Sequence, residues 1–400
     1  MEGAYIMNPA SPTSEINKLR TYTFAVFMIS AVIISYLPLY LKSLGYNAVQ
    51  IGLLYSIGPL ISICSNFIWG VASDKSQTIK KIILILLAVQ TIMIVILSFA
   101  SSYTTVMMLL VVFYFFYYPV FPLTDTLTIV TTQSHNRSFI GVRVFGSIGF
   151  AFSALAFGYL LKSIGASYTL VVIGALSVLS LMLLLVVSDK KASIKKMEFG
   201  GLWEVIKQPN VYLFLICVLL LAIGHRFNDA FLGLSLLSLG ADESIVGWAW
   251  MISAVSEIPI FFLLNAYGER VKELPLLAIS CVMYMLRFLI AGYVQDPIWL
   301  ISTQVMHSVT FGIFYFVAIR YLNKVIPEQF RSTGMAVYTI VWSSISGLLS
   351  GTIGGKLLEV YGKDIVFFSA AGFAIVAAFG FALLHLYVKR NEKSTAALHF

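Results

Sequence analysis

The sequence predicts an all-α membrane protein with twelve transmembrane helices in two parallel six-helix halves. Three observations carry this. The 400 residues are 59% hydrophobic and only 11% charged, against about 25% charged in a soluble domain. Apolar runs of roughly 20 residues, each able to cross a ~30 Å hydrocarbon core as a helix, recur along the whole length. A stretch near the start also reappears, without a gap, in the second half.

Backbone groups in lipid must be satisfied within their own segment, so the spans are helices. The first six are expected at 20–42, 48–72, 79–98, 104–131, 140–162 and 166–188. The next six are expected at 210–238, 245–267, 273–292, 297–322, 332–355 and 363–388. Connections are short except for 189-DKKASIKKMEFGGLWEVIKQPN-210. The domain division that follows is a disordered cytoplasmic tail at 1–17, a bundle at 18–188, a cytoplasmic linker at 189–208, a bundle at 209–389 and a cytoplasmic tail at 390–400. No cleavable signal pattern precedes span 1, so it is expected to remain in the mature protein.

The net charge of +8 is a topology signal and does not point to nucleic acid. Of the 26 Lys and Arg residues, four (Lys42, Lys162, Lys356, Lys363) lie in the odd-to-even connections and four lie inside spans. The rest fall in the tails and the even-to-odd connections. That bias places both termini and the long linker in the cytoplasm of a cell-membrane protein. The basic clusters at Lys190–Lys196 and Lys389–Lys393 then border the bilayer, where they can also meet anionic lipid. Cys64, Cys217 and Cys281 all lie within spans and form neither a disulfide framework nor a metal spacing.

The internal match pairs 39-LYLKSLGYNAVQIGLL-54 with 234-LSLLSLGADESIVGWA-249, 195 positions apart. Gly45 and Gly52 recur as Gly240 and Gly247, and the same offset carries Asp74-Lys75 onto Glu269-Arg270. An offset of six spans preserves orientation in the membrane, so the halves are parallel repeats. Transporters built this way bind substrate near the midplane between the halves and rock one half against the other.

Charged side chains at bilayer depth cost about 2.5–3.5 kcal/mol each on insertion scales, so they face the bundle interior and mark function. In span 4, Pro119 and Pro122 precede Asp125 and are expected to distort the helix there. Arg143, early in span 5, reaches a similar depth on the neighbouring antiparallel helix. Glu257, Arg287 and His307 fall near the middle of spans 8, 9 and 10 and can converge. Asp229 adds a carboxylate in 224-GHRFNDAFLGL-234. Phe150, Asn228 and Trp248 complete the candidate substrate contacts.

The segment 70-GVASDKSQTIKK-81 resembles the loop between helices 2 and 3 of the major facilitator superfamily, with Gly70, Asp74, Lys75, Lys80 and Lys81 matching and the usual central glycine missing. Such an acidic–basic turn can lock the inward-closed state, with Glu269 and Arg270 as its counterpart. The run 143-RVFGSIGF-150 resembles helix 5 of the lactose permease and phenylpropionate permease families. Asp125, 18 residues earlier, matches too, as does the order Glu257, Arg287, His307. The segments 122-PLTDTL-127 and 304-QVMHSVTF-311 resemble the phenylpropionate branch most. The resemblance implies the major facilitator fold and proton-coupled symport. It assigns substrate binding to Asp125 with Arg143, binding and protonation to Glu257, and coupling to Arg287 with His307. Gln304 and Thr310 stand where the lactose permeases carry a lysine and a glutamate, so Glu257 or Asp229 must carry the proton. Phe150 replaces the stacking tryptophan of the sugar carriers.

The resulting expectation is a monomeric uptake carrier for a sugar, glycoside or aromatic carboxylate. A proton gradient drives it and no cofactor is needed. Proton-coupled efflux is the alternative, although span 5 lacks the Gly-Pro-x-x-Gly-Gly antiporter pattern. A receptor or scaffold would need an extramembrane domain. An enzyme would need a metal cluster, nucleotide loop or nucleophile constellation, and none is evident.

Overall fold

The computed structural model describes residues 12–190, 206–267, 271–327 and 330–397. Twelve long helices follow one another. The first half holds α1 (Pro12–Ser43), α2 (Ala48–Ser76), α3 (Ile79–Leu97), α4 (Tyr103–Ser134), α5 (Ile140–Ile164) and α6 (Ala166–Leu185). The second holds α7 (Pro209–Ser238), α8 (Glu243–Tyr267), α9 (Glu273–Tyr293), α10 (Pro297–Val325), α11 (Thr333–Tyr361) and α12 (Lys363–Ala397). The twelve-span architecture stands, with two corrections at its ends. The tail expected at 1–17 is helical from Pro12 onward, because Glu15 is buried there and accepts a hydrogen bond from the Ser188 N–H at the end of α6. The last helix runs past the expected boundary at 389, to Ala397. Most of the linker expected at 189–208 lies outside the described residues.

Local chemistry explains the breaks. Pro119 has no N–H to donate, and α4 is interrupted between Tyr117 and Val120, one turn ahead of Asp125. Around His307, α10 passes from 3-10 turns (Thr303–Met306) into π-helical turns (Ser308–Gly312). Single π turns inside α-helices often accompany functional positions. Gly45 and Gly240, paired by the repeat, take φ of +85° and +83° and close the ends of α1 and α7 alike. The sequence repeat is therefore also a backbone repeat.

The odd-to-even turns lie at what we term the distal end. The start of α1 and the even-to-odd connections lie at the proximal end. The halves meet at the distal end along two related seams. In the α2–α11 seam, a Cβ on Gly52 would collide with the Gly351 carbonyl, and the Ala48 N–H donates to Glu359 Oε2 at 2.8 Å. In the α5–α8 seam, a Cβ on Gly158 would stand 2.9 Å from the Glu243 carbonyl, and one on Gly247 would strike that of Ala154. Lys162 Nζ there pairs with Asp242 Oδ2 at 2.8 Å. At the proximal end, Arg20 Nε donates to Gly141 O within the first half, and Arg320 pairs with Glu273 within the second. The structure is closed distally and parted proximally.

Candidate functional site

Two charged clusters and a cavity occupy the space between the halves. In the first half, Arg143 Nε lies 3.5 Å from Asp125 Oδ1, and both side chains keep about a third of their surface exposed (35% and 36%). They line the proximal cleft. The guanidinium lies over the Phe27 ring, 4.1 Å from its centroid, a cation–π contact that holds it flat. Gly146 makes room for this, since a Cβ there would meet Phe27 at 2.8 Å. Tyr315, from α10 of the other half, lies within electrostatic reach of both charges.

In the second half, the three mid-span charges converge as expected. Glu257 Oε1 is 3.0 Å from His307 Nε2. His307 Nδ1 is 2.9 Å from Arg287 Nη1. Arg287, only 1% exposed, also donates to Thr310 Oγ1 at 3.2 Å and to Gln304 Oε1. A guanidinium only donates, so His307 Nδ1 must accept. The imidazole is therefore neutral, with its proton on Nε2, pointed at Glu257. Gln304 and Thr310, the two departures from the lactose permease pattern, each accept a hydrogen bond from the arginine.

A second histidine, which the sequence reading did not single out, extends this cluster. His225 stacks on Phe311 (5.2 Å, 7°) and on His307 (5.8 Å, 25°). Its Nδ1 is 3.1 Å from the Tyr284 hydroxyl and its Nε2 is 3.5 Å from Asp229 Oδ2. Asp229 also receives Arg226 Nη1 at 3.1 Å. Asp229 thus belongs to an arginine–histidine group beside the Glu257 chain. Asn228 is buried next to it, and its Nδ2 makes no hydrogen bond among the described residues.

The expected aromatic contacts divide. Phe150 sits at the interface between the halves, edge-on to Trp250 at 6.4 Å. Trp248 does not join it. It is 37% exposed, and its Nε1 donates to Tyr159 OH at 3.1 Å. The reason is helical phase: position 248 is nine residues before Glu257, half a turn round α8, whereas Trp250 is seven before and shares its face. Trp250 was missed although that spacing was readable.

The expected gating segment is mostly helix. Gly70, Asp74 and Lys75 lie on the last turns of α2, and Gln77 closes it with φ of +51°. Asp74 makes no ion pair among the described residues. Thr78 and the Lys80 N–H both donate to Asp189 beyond α6. Glu269 and Arg270 lie outside the described residues.

A cavity of about 150 Å³ lies at the midplane between the halves. Its walls include Tyr55 of α2, Tyr114, Tyr117, Tyr118 and Phe121 of α4, and Arg226 of α7. Tyr114, Tyr118, Phe121 and Asp125 follow one another at spacings of four, three and four, a single stripe along α4. Among the described residues no cluster of His, Cys, Asp or Glu is placed to hold a metal.

Twelve apolar helices, pseudo-symmetric halves and a charged central cleft define a transporter of the major facilitator superfamily. The chain belongs to the MFS_1 like family, which matches residues 16–384. It is 25% identical over 382 residues to the uncharacterized transporter YwbF of Bacillus subtilis (strain 168), covering 94% of each chain. It is 24% identical over 382 residues to the maltose permease of Geobacillus stearothermophilus, covering 93% of this chain and 94% of that one. It is 28% identical over 270 residues to the probable 3-phenylpropionic acid transporter of Escherichia coli (strain K12), covering 65% and 69%. The fold superposes on the solved nucleoside transporter NupG with a TM-score of 0.83 at 19% identity, covering 92% of this chain and 98% of that one.

Proposed function

We propose that the protein is a proton-coupled symporter that takes up a small hydroxyl-bearing organic solute, a sugar or glycoside, by alternating access. The observation that carries this is the split of charge between the halves. An exposed acid–arginine pair lies on one wall of the cleft, and a buried Glu257–His307–Arg287 chain lies in the other half. Asp125 accepts and Arg143 donates, which suits neighbouring hydroxyls of one ring. The substrates in the names of the maltose permease and the nucleoside transporter both carry a sugar ring. An aromatic carboxylate is the second reading, favoured by the 3-phenylpropionic acid relative and by the availability of Arg143.

In this reading, Glu257 carries the proton. Ionised, it accepts from His307 Nε2–H. Protonated, it loses the charge that strengthens that bond, and the tie between α8 and α10 loosens. Proton and solute together then bias the two-state equilibrium between distal and proximal opening. With both termini in the cytoplasm, the proximal cleft is inward-open. The carrier works as a monomer in the cell membrane. The test is uptake into proteoliposomes with a panel of sugars, glycosides, nucleosides and aryl carboxylates, with and without an inward proton gradient. Accumulation that follows sodium at fixed pH, or no uptake with any of these solutes, would falsify the reading.

A further inference from the structure

We propose that the tyrosine-lined cavity is a subsite for an uncharged flat ring, the aglycone or base of a glycosidic substrate whose sugar hydroxyls engage Asp125 and Arg143. This deepens the proposed function and rests on its assignment of that pair to substrate.

The cavity is built to hold a ring. Tyr114 and Tyr118 have centroids 5.6 Å apart, and Tyr117 stands edge-on to Tyr118 at 5.2 Å. Gly58 allows Tyr118 its position, since a Cβ there would come 2.7 Å from the hydroxyl. Aromatic faces and edges surround an enclosed space, the arrangement that receives another π system. Both halves contribute to it, α4 on one side and Arg226 with Ser350 on the other, so an occupant would bridge them.

Charge selects an uncharged occupant. Arg226 is the cation on the wall, and three of its five N–H groups are engaged: Nη1 with Asp229 at 3.1 Å, Nη2 with Ser343 Oγ at 3.0 Å and Nε with the Trp342 carbonyl at 3.5 Å. A carboxylate would find the guanidinium neutralised and Asp229 close behind it. The hydroxyls of Tyr55, Tyr114 and Tyr118 make no hydrogen bond to another described residue, and they offer partners for ring heteroatoms or polar substituents.

The cavity is also placed correctly. Phe121 lines it and packs edge-on against Phe27 at 5.4 Å. Phe27 in turn carries the Arg143 guanidinium on its face. One layer of aromatic side chains thus separates the ring subsite from the hydroxyl-binding pair, a separation suited to a substrate with two joined parts.

Competition binding in detergent tests this with uridine, 4-nitrophenyl-β-D-glucoside, methyl-β-D-glucoside and 3-phenylpropionate. The two ring-bearing neutral probes should bind at least tenfold more tightly than methyl glucoside. Tyr118→Leu should erase that advantage and leave methyl glucoside unchanged, while Tyr118→Phe, which keeps the ring, should retain most of it. Size-exclusion profiles confirm that both variants fold. Equal binding of aryl and methyl glucoside overturns the proposal, as does an equal effect of Tyr118→Leu on both, or no binding of either ring-bearing probe. Binding of 3-phenylpropionate that depends on Tyr118 overturns the assignment to uncharged rings. Arg143→Lys separates the two levels: if it leaves methyl glucoside binding intact, the reading of the Asp125–Arg143 pair fails, whatever Tyr118 does.

Discussion

Arg143 shows why a residue's geometry matters more than its charge. Its guanidinium is held between the Phe27 face and Asp125. Lysine would keep the charge but lose the planar donor set and the stacked contact. Arg143→Lys is expected to weaken solute binding by ten- to a hundredfold, in line with about 1.5–3 kcal/mol for a charged hydrogen bond. The pair is partly exposed, so thermal stability should barely change. Equilibrium binding beside a melting curve checks both. Glu257→Gln tests the proton site in a different way. The amide oxygen can still accept from His307 Nε2–H, so the buried chain stays connected while its ionisable group is gone. Exchange between equal pools should persist, and accumulation driven by a pH gradient should vanish. If the variant accumulates solute as well as the parent, the proton is carried elsewhere, with Asp229 next to be tested.

At the scale of the element, α2 and α8 each carry a lesson. Gln77 ends α2 in the left-handed region at φ +51°, a conformation that costs a non-glycine residue roughly 1–2 kcal/mol. Glycine would remove that cost and return about 0.5–1 kcal/mol of it as chain entropy. Gln77→Gly should therefore stabilise the protein by about 0.5–1 kcal/mol, read as a higher melting temperature in detergent. An unchanged or lower value would show that the turn stores no such cost. Much of α4, α8 and α10 was legible beforehand. Pro119 breaks α4 where expected although Pro122 does not, and Glu257, Arg287 and His307 meet. Trp248 was misjudged because depth alone was considered. Depth follows from counting residues along the chain, but the face a side chain presents needs the angular phase as well. His225 was passed over because a lone histidine in an apolar run says nothing about which rings will stack on it.

At the scale of the whole molecule, the seams at the distal end hold the conformation. Gly52 meets the Gly351 backbone so closely that Gly52→Ala must push α2 away from α11. Overpacking of this kind costs about 1–3 kcal/mol, enough to move a two-state equilibrium about fivefold to a hundredfold. Spin labels at Leu44 and Tyr361, both exposed at that end, should report longer distances in the variant. An unchanged distribution would show that the seam yields without opening. The Lys162–Asp242 bridge across the other seam should not respond to physiological acidification. Burial alone would raise the Asp242 carboxyl, but the Lys162 ammonium, the Ser244 hydroxyl and the Ile245 N–H outweigh it and hold it down at about 2. A depressed acid contributes its stability above its unfolded value, near 3.9, and loses it only as pH falls through about 2. With Glu257→Gln in place to remove the proposed coupling proton, label distances across the α5–α8 seam should thus be the same at pH 8 and pH 5. A widening over that range would assign a proton switch to this bridge.

Composition and periodicity alone determined that this chain spans a membrane twelve times in two parallel halves, because lipid forces every span to satisfy its own backbone and to advertise itself in apolar length. The repeat located the glycines that close α1 and α7 and line the seams, since backbone geometry demands glycine wherever it recurs. The charges inside the spans were equally legible, because their cost makes them rare. The tertiary structure alone decided how they group. It put Asp229 with His225 and Arg226 instead of with Glu257, turned Trp248 outward and Trp250 inward, and raised a cavity from tyrosines that looked like ordinary apolar filling. Each of those outcomes depends on the rotation and approach of helices distant in sequence, which are set by packing between them and leave no mark on any one segment.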